Sequence, residues 1–140
     1  MSESVLHFPP PTTDSGVAIE KVLVERRSQR SFAPMPLDLA EMGQLLWAAQ
    51  GITAASGKRT APSAGALGPL EVFVVTAEGV SRYLSQSHSL QAKARGDRRS
   101  ALASAAADQE AITSAPLVMV ITGILSRTAW KYGGDRAWRY

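Results

Sequence analysis

Apolar positions recur at helical spacing in two early segments. From Val17 onward, Ile19, Val22 and Leu23 share one face, with Glu20, Lys21 and Glu25 opposite, which predicts a helix running into the Arg26 cluster. Pro34 and Pro36 forbid its continuation. The second segment is sharper. Leu39, Met42, Leu45, Leu46 and Ala49 repeat at the same spacing, Asp38 stands at the cap position with Glu41 three residues on, and Gly51 is placed to end the helix. Residues 51–69 then lose all periodicity and are dominated by small side chains; loops of that length are functional or disordered. A strand follows over 70–76, with a turn at Glu78 and Gly79. Residues 82–95 give no clear period beyond a short strand near Tyr83. A helix opens at Gly96 or Asp97, runs through Leu102 and Ala106 toward Ala111, and stops before Pro116. The β-branched run 117–122 reads as a buried strand, 128–132 as a short helix, and Asp135 as the cap of another helix beginning at Ala137 and Trp138. Ahead of all this, residues 1–16 form a proline-rich arm, Phe8-Pro9-Pro10-Pro11 at its centre, expected to be extended and either draped over a surface or mobile. The organisation is therefore an arm, 1–16, and one domain, 17–140.

Composition narrows the chemistry. A chain of 140 residues, 45% of them hydrophobic, supports one globular domain and excludes wholesale disorder. It contains no cysteine, which removes disulfides, thiolate metal sites, iron–sulfur clusters and cysteine nucleophiles together. The longest apolar stretch, 117–125, is far short of the ~20 residues a membrane helix needs. No basic stretch followed by an apolar run begins the chain, so a soluble, cytoplasmic protein without a membrane partner is expected. The net charge is +3, yet residues 1–70 carry six basic and six acidic side chains and the remainder nine and six, well mixed. No basic stripe emerges, and nucleic acid is not an expected partner.

Three segments could carry chemistry. Arg26, Arg27, Ser28 and Arg30 place three guanidiniums and a hydroxyl at a helix exit, suited to clamping a phosphate; they equally suit a solvated basic helix end that complements the helix dipole. Pro62, Ser63, Ala64 and Gly65 lie in a loop whose small side chains let backbone amides approach a flat polar ligand; alone it also reads as a plain surface loop. Lys131 and Tyr132 are adjacent proton carriers followed by Gly133 and Gly134, or a surface lysine beside an anchoring tyrosine. His7 and His88 are far apart and no metal site is expected. Neither glycine-rich nucleotide fingerprint is present.

In this order the segments resemble the nitroreductase-like FMN flavoproteins, specifically their SagB-type (thiazoline/oxazoline) dehydrogenase branch. The resemblance is carried by Arg26-Arg27-Ser28-Gln29-Arg30-Ser31-Phe32, by Pro36 to Glu41, and by Leu45 to Ile52. It continues through Arg59 to Leu67, Pro69-Leu70-Glu71-Val72, the Gly96-Asp97-x-Arg99 spacing, Ala115-Pro116, and Arg127 to Gly133, nearly all of 17–140. It implies an α+β, nitroreductase-like fold acting as a homodimer with FMN at the subunit interface. Arg26, Arg27, Ser28 and Arg30 would then contact the flavin phosphate, ribityl chain and pyrimidine edge. Pro62, Ser63, Ala64 and Gly65 would line the isoalloxazine from the partner subunit. Lys131 and Tyr132 match a pair that handles the proton when peptide azolines are oxidised to azoles. Two departures stand out. Gly68 replaces an aromatic residue common in relatives, and the chain stops at Tyr140 before their long central helix and late basic residue. The domain is thus expected to be incomplete at its C-terminus, with apolar faces of 17–50 and 117–125 uncovered. Three functions compete: the FMN oxidoreductase, a non-catalytic remnant or split-protein subunit that pairs with another chain, and a generic NAD(P)H-dependent nitro or quinone reductase. Lys131 and Tyr132 favour azoline oxidation over the last.

Overall fold

Asp38 accepts a hydrogen bond from the Glu41 amide at 2.8 Å while the Glu41 carboxylate accepts from the Asp38 amide at 2.9 Å. This reciprocal cap starts helix α2 (Leu39–Gln50), as its sequence predicts. Gly43, Leu46 and Gln50 form the buried face of α2, and Leu46 is fully enclosed. The helix rests on an antiparallel sheet in a computed structural model that describes residues 4–139. The sheet comprises β1 (Val5–His7), β2 (Leu70–Val75), β3 (Gly79–Leu84), β4 (Ser89–Arg95) and β5 (Val118–Gly123), in the order β1–β4–β3–β2–β5. Phe8, Leu46, Val72, Val74, Tyr83 and Leu90 make the core, with Met42, Ala49 and Leu117 packed against it. Helices α1 (Ile19–Glu25), α3 (Arg99–Ala105), α4 (Glu110–Ser114) and α5 (Ser126–Tyr132) complete an α+β architecture. None of the helices among the described residues is long and apolar enough to cross a membrane.

The structure departs from the sequence reading in several places. The arm is anchored: β1 pairs with β4 and Phe8 enters the core, 8% exposed. Residues 1–3 of the arm, and residue 140, lie outside the described residues. The unassigned stretch 82–95 is most of a hairpin, β3–β4. A bulge at Val80/Ser81 breaks its alternation, and its turn has His88 at φ 44° rather than a glycine. The helix expected over 96–111 is two helices, because Ala107 and Asp108 both take left-handed backbone (φ 58° and 54°). Gly51 ends α2 without a left-handed cap. Its φ is −67°, and a Cβ there would lie 2.1 Å from Trp47 Cδ1, so close approach is what requires glycine. The segment expected to open a helix at Ala137 is a 3₁₀ turn over Gly134–Arg139.

Strand β5 is at the sheet edge and half exposed rather than buried. Large exposed apolar side chains concentrate on α1 and α2 (Ile19, Leu23, Val24, Leu39, Leu45) and around β5 (Met119, Ile121, Leu125). Helix α1 buries none of its residues.

Candidate functional site

The loop between α2 and β2 folds back on its own backbone. The Thr53 amide donates to the Lys58 carbonyl at 2.8 Å, the Thr60 amide to the Gly51 carbonyl at 3.0 Å, and Ile52 bridges Arg59. A 3₁₀ turn over Ala64–Ala66 follows, with Gly65 at φ 62°. The Ser63 hydroxyl accepts from the Gly68 amide at 2.9 Å and so closes the turn from within. Ala61, Pro62, Ser63, Ala66 and Gly68 line a shallow cavity of about 240 Å³, with Lys58 and Arg59 as its long cationic side chains.

Helix α5 delivers the proton carriers to this loop. Thr128 is buried, and its single hydroxyl proton is shared between the carbonyls of Leu125 (2.9 Å) and Ala137 (3.0 Å), which ties the helix to the final turn. At its end, Lys131 Nζ lies 5.7 Å from the Tyr132 ring centroid. A Cβ on Gly65 would stand 2.6 Å from Lys131 Nζ and 2.9 Å from the Tyr132 hydroxyl. The ammonium and the phenol therefore reach the Gly65 backbone through space that any other residue would fill. Two segments with no sequence proximity converge here, joining Lys131 and Tyr132 to the loop carrying Pro62, Ser63, Ala64 and Gly65.

The arginine segment sits apart. Arg27 donates from Nη1 to the carbonyls of Val24 and Arg26, both at 2.8 Å, so it caps α1. Arg30 lines a different cavity, of about 710 Å³, with Phe32 and Glu110. Arg26 and Ser28 are exposed. Within one chain, the cavity lined by Arg30 shares no residue with the cavity lined by Pro62 and Ser63, and Arg27 donates to the end of α1.

A profile of the nitroreductase family matches residues 23–140. The chain belongs to the nitroreductase family. A Methanocaldococcus jannaschii protein described as a nitroreductase is 39% identical over 130 residues, covering 89% of this chain and 65% of that protein. A crystal structure from Ralstonia eutropha JMP134, also described as a nitroreductase, superposes with a TM-score of 0.84 at 30% identity, over 97% of this chain and 63% of that one. The chain thus spans somewhat less than two thirds of these relatives. The E. coli microcin synthetase McbBCD complex with truncated pro-MccB17 bound contains a chain of the same fold (TM-score 0.64, 24% identity, 93% of this chain and 55% of that one).

In this nitroreductase-family chain the sequence reading missed a second set of polar residues beside the loop. Glu71, the second residue of β2, has a side chain only 9% exposed and accepts from Arg82 Nη2 at 2.6 Å and from Arg127 Nη2. Arg127 Nη1 donates to the Gly68 carbonyl at 2.9 Å. Arg59 Nη1 donates to Gln50 Oε1 and Ser85 Oγ, each at 3.2 Å. The available signal was Glu71 itself, a lone carboxylate in the apolar run Leu70–Val75 that needs a buried cation.

Proposed function

We propose that this nitroreductase-family chain forms one half of an FMN-dependent SagB-type dehydrogenase site that oxidises peptide azolines to azoles. The convergence of Lys131 and Tyr132 on Gly65 carries the reading. The residues suit a flat ring system: the absence of a Cβ at Gly65 lets Lys131 and Tyr132 reach the loop, and Pro62 and Ser63 line the adjacent cavity with little bulk. Arg26, Arg27, Ser28 and Arg30 suit the phosphate, ribityl chain and pyrimidine edge, supplied from a second copy because one chain keeps them apart from the loop. FMN, when bound, supplies the two-electron acceptor. The chain's own residues manage the proton. The Lys131 amine takes it from the substrate carbon and becomes the ammonium, and Tyr132 orients that amine and shares its hydrogen bonds. A homodimer, or another chain completing the domain, would also cover the apolar faces of α1 and β5.

The test is reconstitution with FMN followed by size-exclusion chromatography and azoline turnover. Retained flavin colour is expected, and Lys131→Ala should keep the colour while losing turnover by about 10²-fold or more. A preparation that takes up no FMN sinks the flavoenzyme reading, and equal turnover in the variant removes Lys131 from the chemistry. Turnover of nitro or quinone compounds alone, driven by NAD(P)H, would replace azoline oxidation with the generic reductase activity.

A further inference from the structure

We propose that the groove between the 57–68 loop and the β3–β4 hairpin is an oxyanion site that takes the carboxylate or phosphate group of a small ligand. The groove encloses about 490 Å³ and is lined by Arg59, Arg82 and Arg127, with Glu71 as the carboxylate among them. Charge is unbalanced there. Arg82 and Arg127 both donate to the same Glu71 Oε1, and the partners of Arg59, Gln50 and Ser85, are neutral. Three guanidiniums against one carboxylate leave a net charge of +2 on one wall system. Neutral amides or hydroxyls could meet the guanidinium edges that line the groove, but only an anion also offsets the surplus charge, and the planar guanidinium fork matches an oxyanion's paired oxygens.

Gly68 keeps the groove open. A Cβ at this position would lie 3.8 Å from Arg59 Cζ and Nε, so a side chain there would sit directly on the guanidinium that glycine leaves uncovered. The groove also shares Arg59, Ala66 and Gly68 with the cavity of the small-residue loop, so an anion held here lies beside the candidate site. The inference does not depend on the flavin reading.

Calorimetric titration of the full chain with inorganic phosphate and, separately, benzoate, at constant ionic strength, tests the site. Saturable binding of at least one probe is expected, and the tighter probe identifies the source as phosphate or carboxylate. Arg59→Gln and Arg82→Gln should each weaken it about tenfold, the loss of a charge-assisted contact, whereas Arg98→Gln, an equal charge change at an exposed position, should not. Circular dichroism checks that the variants fold, and Arg59→Gln leaves the Glu71 pairings untouched should Arg82→Gln fail. Repeating the titration after FMN loading separates the sources further. Undiminished binding supports a site distinct from the cofactor's, while strict competition assigns the groove to the FMN phosphate and overturns the proposal. Absence of saturable binding, or equal affinity in all three variants, also overturns it. If no FMN is taken up, the first titration still decides.

Discussion

Replacing Phe8 with alanine probes how firmly the proline-rich arm belongs to the fold. The ring is 8% exposed, among Leu46, Val72, Val74, Tyr83 and Leu90. It lies against the α2 backbone: Phe8 Cβ and Cγ are 3.0 Å from where a Gly43 Cβ would be. The Phe8 amide also donates to the His88 carbonyl at 3.1 Å, but that bond survives the substitution. Withdrawing roughly 150 Å² of apolar surface at ~25 cal/mol per Å² gives about 4 kcal/mol, inside the range of about 3–5 for Phe→Ala in cores. The site lies next to an edge strand three residues long, so the arm can relax into part of the cavity, and about 3 kcal/mol is the expected loss. At this chain length that lowers Tm by roughly 10 °C. Urea denaturation followed by circular dichroism measures it. Hydrogen exchange adds a local readout, because the Ala92 amide donates to the Ser4 carbonyl and should lose protection when the arm detaches. A loss below about 1 kcal/mol with Ala92 still protected would refute the placement of Phe8 in the core.

Three further outcomes follow from named contacts. Glu71→Gln removes the carboxylate between Arg82 and Arg127; breaking a fully buried pair costs about 3–5 kcal/mol, but both guanidiniums are about one-third exposed, so about 1–2 kcal/mol is expected in chemical denaturation. Gly65→Ala forces alanine to φ 62° at about 1 kcal/mol and pushes its methyl onto Lys131 Nζ, so thermal stability should drop modestly, and on the proposed function azoline turnover should drop much further. Stability should also decline on acidification below pH 6.5. Burial holds the His88 imidazole below that ordinary value, partly offset by the Pro9 carbonyl, so the unfolded chain takes up the proton first and the loss is complete only below the folded-state value. Tyr83, pushed up to about 12 by burial, stays protonated and can donate to neutral His88 Nδ1 at 2.8 Å. His88→Asn, which suits the φ of 44°, should flatten the Tm–pH profile on the acid side of neutrality, and an unchanged profile would exclude His88 as its source.

Where local chemistry decides an element, the sequence discloses it. Asp38 and Glu41 cap α2 through side chains three residues apart, and Leu70–Val75 is a strand by composition alone. Where partners come from far along the chain, it does not. Strand β1 exists because β4 offers an edge some 85 residues later, and the three prolines after Phe8 obscure a register that only Gln91, Leu90 and Ser89 define. The hairpin was hidden for another reason: its bulge at Val80/Ser81 shifts the inward-facing set mid-strand, and its turn lacks the glycine that marks tight hairpins.

The same rule divides the candidate site. Lys131, Tyr132 and the loop at 62–65 are visible as residue types with chemistry, but nothing in their spacing says that Gly65 is the point where they meet; that depends on Thr128 anchoring α5 at the far end of β5. Arg59, Arg82 and Arg127 were less legible still, since they stand far apart along the chain and the groove exists only after three elements pack. Their role follows from an imbalance, one buried carboxylate facing three guanidiniums, that is a property of the assembled surface and of no segment in it. If both proposals hold, Lys131 at Gly65 would act on the proton while the neighbouring surplus of positive charge orients an acidic substrate. The two features therefore make separable demands: Lys131→Ala should change turnover with substrate affinity intact, and Arg59→Gln should weaken affinity for an anionic substrate while leaving turnover of a neutral one unchanged.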